Sequence, residues 1–178
     1  MGSRENLPLN YANWYESYAF CIWDGGFLPS EAEWEYAAAG GSQQREYPWG
    51  STAPGTDNQY AIYEDLQMVC FYPNRMPCMG VDNIAPVGTA TLGLGRWGQL
   101  DLVGEVAEWT VDSYSGGPYS NPCVDCTVNP PVSGNSLQNA RRERGGVQGI
   151  PSLHPPLRGA AAQYWRDGFI GLRCARSP

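Results

Sequence analysis

Hydrophobic positions near the start of the chain recur at helical spacing, and from about residue 47 onward they do not. Between Asn13 and Trp23 (NWYESYAFCIW), Trp14, Tyr18, Cys21 and Ile22 share that spacing, and Gly25–Gly26 supplies a stop. Pro29 then leads into Ser30-Glu31-Ala32-Glu33, where Ser30 caps and Glu33 reaches back to form a capping box. A second helix is expected from there to about Ala39, ending at Gly40–Gly41. Glu31, Glu33 and Glu35 read as stabilising its positive end and forming a solvated face. Beyond Tyr47, short apolar runs alternate with Gly, Pro, Asn and Asp. Leu100–Val103, Glu108–Val111 and Ile170–Ala175 are the strand candidates. Ser113 to Asn139 reads as one long surface loop that needs pinning, a task open to Cys123 and Cys126. With no repeat and no linker, a single α+β domain over residues 1–178 is the economical reading.

Composition narrows this picture. Charged residues are 16% of the chain, below the roughly 25% usual for soluble domains, whereas 22 Gly, 15 Pro and 12% aromatics indicate a loop-rich fold held by packed rings. The formal charge is −7, with only 11 basic residues and no basic face, which excludes nucleic acid and anionic membranes as partners. No apolar run approaches the roughly 18 residues of a membrane span. Six cysteines, an even set, favour disulfides and an extracytoplasmic or secreted location. The opening MGSRENLPLN carries no signal-peptide pattern and reads as a truncated beginning, so export is inferred from the cysteines.

The candidate chemistry centres on Gly98–Trp109, GQLDLVGEVAEW, where Asp101 and Glu108 flank a glycine turn with carbonyls between them. Hard cations such as Ca²⁺ prefer carboxylates plus main-chain oxygens at close quarters. Cys123-Val-Asp-Cys126 is a CxxC, but prolines surround it and no helix follows to lower a thiol pKa. Structural disulfides fit better, and Cys70, Cys78, Cys123 and Cys126 allow three pairings or a zinc site. The sole histidine, His154, lies beside prolines, so neither a Ser/His/Asp triad nor an iron site can be built from this chain. The glycine run LGLGRWG lacks the lysine and following helix of a phosphate loop.

Four blocks in order resemble the formylglycine-generating, or sulfatase-modifying factor, family. Leu7–Gly41, with its EAEWEYAA run, is similar to the family's first helices, and Tyr47-Pro48-Trp49-Gly50 to its YPWG. Ala85-Pro86-Val87-Gly88 resembles APVG and leads into Gly98–Trp109, similar to GLYDMxGNVWEW. Arg144-Gly145-Gly146 and Gly171-Leu172-Arg173-Cys174 look like R-G-G-S-W and G-F-R-C. The resemblance implies an irregular, C-type-lectin-like α+β fold with low secondary-structure content, stabilised by disulfides and calcium, here without the family's N-terminal portion. It implies a Cys21–Cys174 disulfide, worth about 4 kcal/mol in the chain-entropy model, against the alternative of two buried free thiols. It implies Ca²⁺ ligation by Asp101, the Gly104 and Val106 carbonyls, and Glu108. A second cation site is implied at Asn58, whose partner falls at Met79 unless Asp82 has moved in.

Family enzymes oxidise a target cysteine with two copper-binding cysteines after R-G-G-S-W. At the matching positions this chain has Ile150 and Pro155, and neither can bind soft copper. No copper is therefore expected, and the former cleft would be lined by Ile150, Leu153, His154 and Pro155, an apolar patch. A related branch does iron-dependent sulfur chemistry with histidines largely from another domain. The favoured reading is a calcium-stabilised binding or structural module without the oxidase activity, for a peptide, protein or glycan ligand. The alternatives are an enzyme still acting on protein cysteine or sulfur with relocated residues, and a lectin-like carbohydrate-binding module.

Overall fold

The computed structural model describes residues 5–78, 84–114, 127, 140–146 and 148–177. Helix α1 spans Trp14–Trp23 and α2 spans Glu31–Ala38, each opened by a full capping box. Asn13 accepts from the Glu16 amide while the Glu16 carboxylate accepts from Asn13; Ser30 and Glu33 do the same. Only the second box was expected. The buried stripe of α1 is Trp14, Ser17 and Cys21; Tyr18 and Ile22 face solvent, so the inward face is rotated from the one the hydrophobic residues suggested.

Strands β1 (Val69–Cys70) and β2 (Met76–Pro77) form a small antiparallel pair. The main sheet contains β3 (Ala107–Ser113), β4 (Ala140–Arg144), β5 (Gly159–Ala162) and β6 (Ile170–Gly171), in the order β5-β4-β3-β6, with β3–β6 the parallel pair. A one-turn helix α3, Gly149–Ser152, follows β4. Leu100–Val103 is not a strand. It enters the core as an irregular turn, because Asp101 and Glu105 both adopt left-handed backbone angles, φ 56° and φ 61°.

Strand β3 organises the rest through its two-residue alternation. Ala107, Trp109 and Val111 join Trp14, Cys21, Leu28, Ala161 and Ile170 in a cluster beneath α1. Glu108 and Asp112 face the other way, toward α2: Glu108 accepts from the Trp34 indole at 2.8 Å and Asp112 from the Glu31 amide at 2.6 Å. Two indoles lock α1 to the strand, Trp14 donating to the Thr110 carbonyl and Trp109 to that of Ala12. Cys21 and Cys174 are disulfide-bonded across 153 residues of sequence. On the α2 side, Trp34, Ala38, Tyr47, Tyr63, Phe71, Leu102 and Leu153 form a second cluster.

Close approach of two glycines joins the acidic turn to β4. The Gly104 amide donates to the Gly145 carbonyl at 3.0 Å, and both residues have positive φ. A Cβ on Gly104 would lie 2.5 Å from the Ile62 carbonyl, and one on Gly145 2.6 Å from that of Leu102. Only glycine fits at either place.

Arg144 sits in the centre of this half, 1% exposed, with its guanidinium 4.9 Å from the Trp34 ring. It donates to Glu31 at 3.1 Å and to the Pro155 carbonyl, and pairs with Glu35. Glu31, only 2% exposed, also takes two bonds of 2.6 Å from Arg158. The solvated acidic face expected for α2 is thus in part a buried ion cluster; Glu33 alone of the three stays at the surface as a cap. Burial is the main force on Arg144, drawing its pKa down to about 10 against the pull of Glu31. Arg144→Ala should cost about 3–5 kcal/mol, because two carboxylates are left in the interior short of a cation. Urea unfolding checks this, and a loss below about 1 kcal/mol, the scale of a surface pair, would refute it.

Candidate metal centre

Residues 102–110 form an unbroken buried run, so the carboxylates of the acidic turn lie inside the protein. Asp101, Glu105 and Glu108 line one cavity of about 280 Å³, together with Val106, Leu172 and Arg173. The Ala85–Gly88 block wraps this turn, and the carboxylates hold both of its ends. Asp101 Oδ2 accepts from the Gly88 amide at 2.6 Å, and Glu105 Oε2 from the Ala85 amide at 3.3 Å. The other oxygen of each, Asp101 Oδ1 and Glu105 Oε1, is buried without a hydrogen bond. Unpaired carboxylate oxygens in the interior are costly, and a hard cation is one of the few groups that relieves two at once.

Glu108 behaves differently from the ligand the sequence suggested. Both of its oxygens are engaged, by Arg173 Nε at 3.0 and 3.1 Å and by the Trp34 indole. Arg173 also donates to the Leu100 and Asp101 carbonyls at 3.0 and 2.8 Å, and the Glu108 charge raises its pKa. A cation in this cavity would share Glu108 with Arg173 and the Trp34 indole. The unsatisfied oxygens belong to Asp101 and to Glu105, which is not among the ligands the resemblance implies. It is 2% exposed. The signal that could have found it was its departure from the family's asparagine inside an otherwise apolar run.

At the second predicted position, Asn58 has φ 58° and donates to the Phe71 carbonyl at 2.9 Å, leaving its Oδ1 buried without a partner. Asp82, Cys123 and Cys126 lie outside the described residues. Cys70 is disulfide-bonded to Cys78, one of the pairings left open.

The predicted cleft needs correction. Leu153 is fully buried in the α2-side core, and Pro155 is buried with its carbonyl bound to Arg144. Neither lines an open surface, since the Arg144 cluster draws this segment inward. The His154 ring lies 4.8 Å from that of Tyr47. Ile150 alone of the four is well exposed. It lines a separate cavity of about 310 Å³ with Tyr63, Leu66 and Phe71.

The arrangement is a disulfide-stapled α+β scaffold with little regular structure and an oxygen-rich pocket under a glycine turn. A family model, the sulfatase-modifying factor enzyme 1-like domain, matches residues 1–178, and the chain belongs to that family. The chain is 32% identical over 136 residues to the formylglycine-generating enzyme of Mus musculus, covering 74% of this chain and 33% of that protein. It is 36% identical over 116 residues to the inactive C-alpha-formylglycine-generating enzyme 2 of Bos taurus, covering 64% and 36%. It therefore spans about a third of the length of these curated relatives. PvdO from Pseudomonas aeruginosa superposes with a TM-score of 0.69 at 20% identity, over 97% of this chain and 63% of that one, a likeness of fold.

Burial, then the neighbouring Asp101, pushes the Glu105 carboxyl up to about 8 from its ordinary 4.5. The folded state thus holds a proton there that the unfolded chain has released, so cation-free stability falls as pH rises from about 4.5 to about 8. The expected loss is a few kcal/mol, since each tenfold change in proton affinity is worth about 1.4 kcal/mol. Unfolding titrations at several pH values should show that slope in the cation-free protein and a flatter one in Glu105→Gln. Equal slopes would mean that Glu105 is not the group responsible.

Proposed function

We propose that this is a formylglycine-generating-enzyme-like domain that has lost the oxidase chemistry and serves as a calcium-stabilised binding or structural module. The observation that carries the cation half is the pair of orphaned oxygens, Asp101 Oδ1 and Glu105 Oε1, in one cavity. Asp101 and Glu105 would hold Ca²⁺ with the Gly104 and Val106 carbonyls, and Glu108 would position Arg173 or join as a further ligand. All are hard oxygen donors, the set that suits Ca²⁺ and not a thiophilic metal. Bound there, the ion supplies charge balance to a turn packed between the Ala85–Gly88 block and β6.

The reading that oxidase chemistry is lost is supported by Ile150 and Pro155, the residues that the motif resemblance sets against the family's copper-binding thiols. An alkyl chain and an apolar ring offer soft copper nothing. That a relative of this chain is named as inactive supports the reading. Loops on a rigid scaffold are where recognition is usually placed, and the exposed Ile150 patch offers a peptide or protein ligand an apolar seat. The disulfides are compatible with an extracytoplasmic location, and among the described residues no helix is long and apolar enough to cross a membrane.

Each half has its own test. Saturating Ca²⁺ at about a hundred times its Kd should add about 2.7 kcal/mol of stability, a rise in Tm of roughly 5–10 °C for a chain of this size. Asp101→Asn should weaken that response at least tenfold, and a Tm indifferent to Ca²⁺ would remove the cation half. Separately, a cysteine-bearing sulfatase peptide incubated with the protein and Cu⁺ should keep its mass. Conversion of that cysteine to an aldehyde would establish instead an enzyme with relocated residues.

A further inference from the structure

Another unsatisfied carboxylate opens onto a different cavity from that of the acidic turn. Glu64 is 4% exposed, and its Oε2 has no hydrogen-bond partner. Its backbone is held from two directions, by a bridge to Cys70 and by the Gly149 amide donating to its carbonyl at 2.7 Å. Beside it is the β1–β2 hairpin, whose Cys70 is fully buried and whose Cys78 is partly exposed. The Glu64 carboxylate and the two sulfurs all lie within 4.8 Å of one another. A cavity of about 400 Å³ opens onto Glu64 and Cys78, with Gln148 and Ser152 also on its wall.

We propose that Glu64, Cys70 and Cys78 form a redox-gated metal site, which takes a thiophilic d¹⁰ dication of the Zn²⁺ class once the Cys70–Cys78 disulfide is reduced. In the disulfide state neither sulfur can ligate as a thiolate, and Glu64 is left as a desolvated carboxylate whose pKa is raised by burial and by Asp65. Reduction by a small thiol balances as two RSH plus the disulfide giving RSSR plus two cysteine thiols. Zn²⁺ then displaces one proton from each thiol, and the two thiolates and the carboxylate neutralise it with one negative charge to spare. Zinc bonds of about 2.3 Å to sulfur and 2.0–2.2 Å to oxygen place such ligands roughly 3.3–3.8 Å apart. Reduction frees the two sulfurs to part to that spacing, and the carboxylate, within 4.8 Å of both, has about an ångström at most to close. Three protein ligands leave the fourth position of a tetrahedral ion open, and the adjoining cavity gives that position room for water or a small donor molecule. A buried carboxylate oxygen without a hydrogen bond is otherwise a standing cost to the fold.

The full chain, reduced with a trialkylphosphine and freed of metal, should bind one equivalent of Co²⁺ with a thiolate-to-metal charge-transfer band, and Zn²⁺ should displace it. Oxidised protein should show no band. Glu64→Gln keeps both cysteines and folds with its disulfide, and it should weaken Co²⁺ and Zn²⁺ binding about tenfold. Cys70→Ser with Cys78→Ser should abolish the band, whereas Cys123→Ser with Cys126→Ser should keep it. Unchanged affinity in Glu64→Gln would overturn the proposal, as would a band that follows Cys123 and Cys126 instead of Cys70 and Cys78.

Discussion

The buried guanidinium of Arg144 is the contact on which most of this domain depends. It ends β4, rests on the Trp34 ring, pairs with two glutamates of α2 and binds the carbonyl of Pro155. Segments distant in sequence are thereby tied at one dry point. Burying a full charge is tolerable only when such a set of partners is complete. That requirement explains why Glu31 and Glu35 sit at the start and middle of a helix whose other face is core. It also explains the fate of the stretch after β4: Pro155 is drawn inward as a partner of Arg144, which closes the surface on which a cleft was expected.

Strand β3 distributes the remaining roles. One set of its residues packs beneath α1 as ordinary hydrophobic core, and the alternate set carries carboxylates to α2 and to Arg173. Because side chains on a strand point to opposite faces in turn, a single seven-residue element serves both an apolar and a charged layer, despite a register shift against β4 between Trp109 and Ser113. The acidic turn preceding it uses left-handed backbone angles at Asp101, Gly104 and Glu105 to bring three side chains to one cavity. Its carboxylates also clamp the Ala85–Gly88 block, so electrostatics at this turn and the shape of the neighbouring loop are coupled.

The chain keeps the scaffold of the sulfatase-modifying factor family and carries no sulfur at positions 150 and 155. What the interior retains is a set of carboxyl groups: Asp101 and Glu105 in one cavity, Glu64 at another, each with an oxygen unserved by the protein. The two places differ in hardness. The first offers oxygen alone, whereas the second sits against two sulfurs, and the metals suited to them differ accordingly.

Much of the fold was legible along the chain. The Ser30–Glu33 box, the helix following it and the family blocks are local patterns, readable because capping and helical periodicity involve neighbours within four residues. The acidic character of Asp101–Glu108 was legible for the same reason. The sequence did not reveal that Glu108 is occupied by Arg173, 65 residues away, or that Glu105 points inward. Nor could it distinguish a solvated Glu31 from one clasped by Arg144 across 113 residues. Glu64 carried no local signal at all. Local sequence therefore determined the two long helices, the family and the kinds of atoms available. Tertiary structure alone decided which charges were paired and which left bare, because desolvation and ion pairing depend on what the chain brings together from afar.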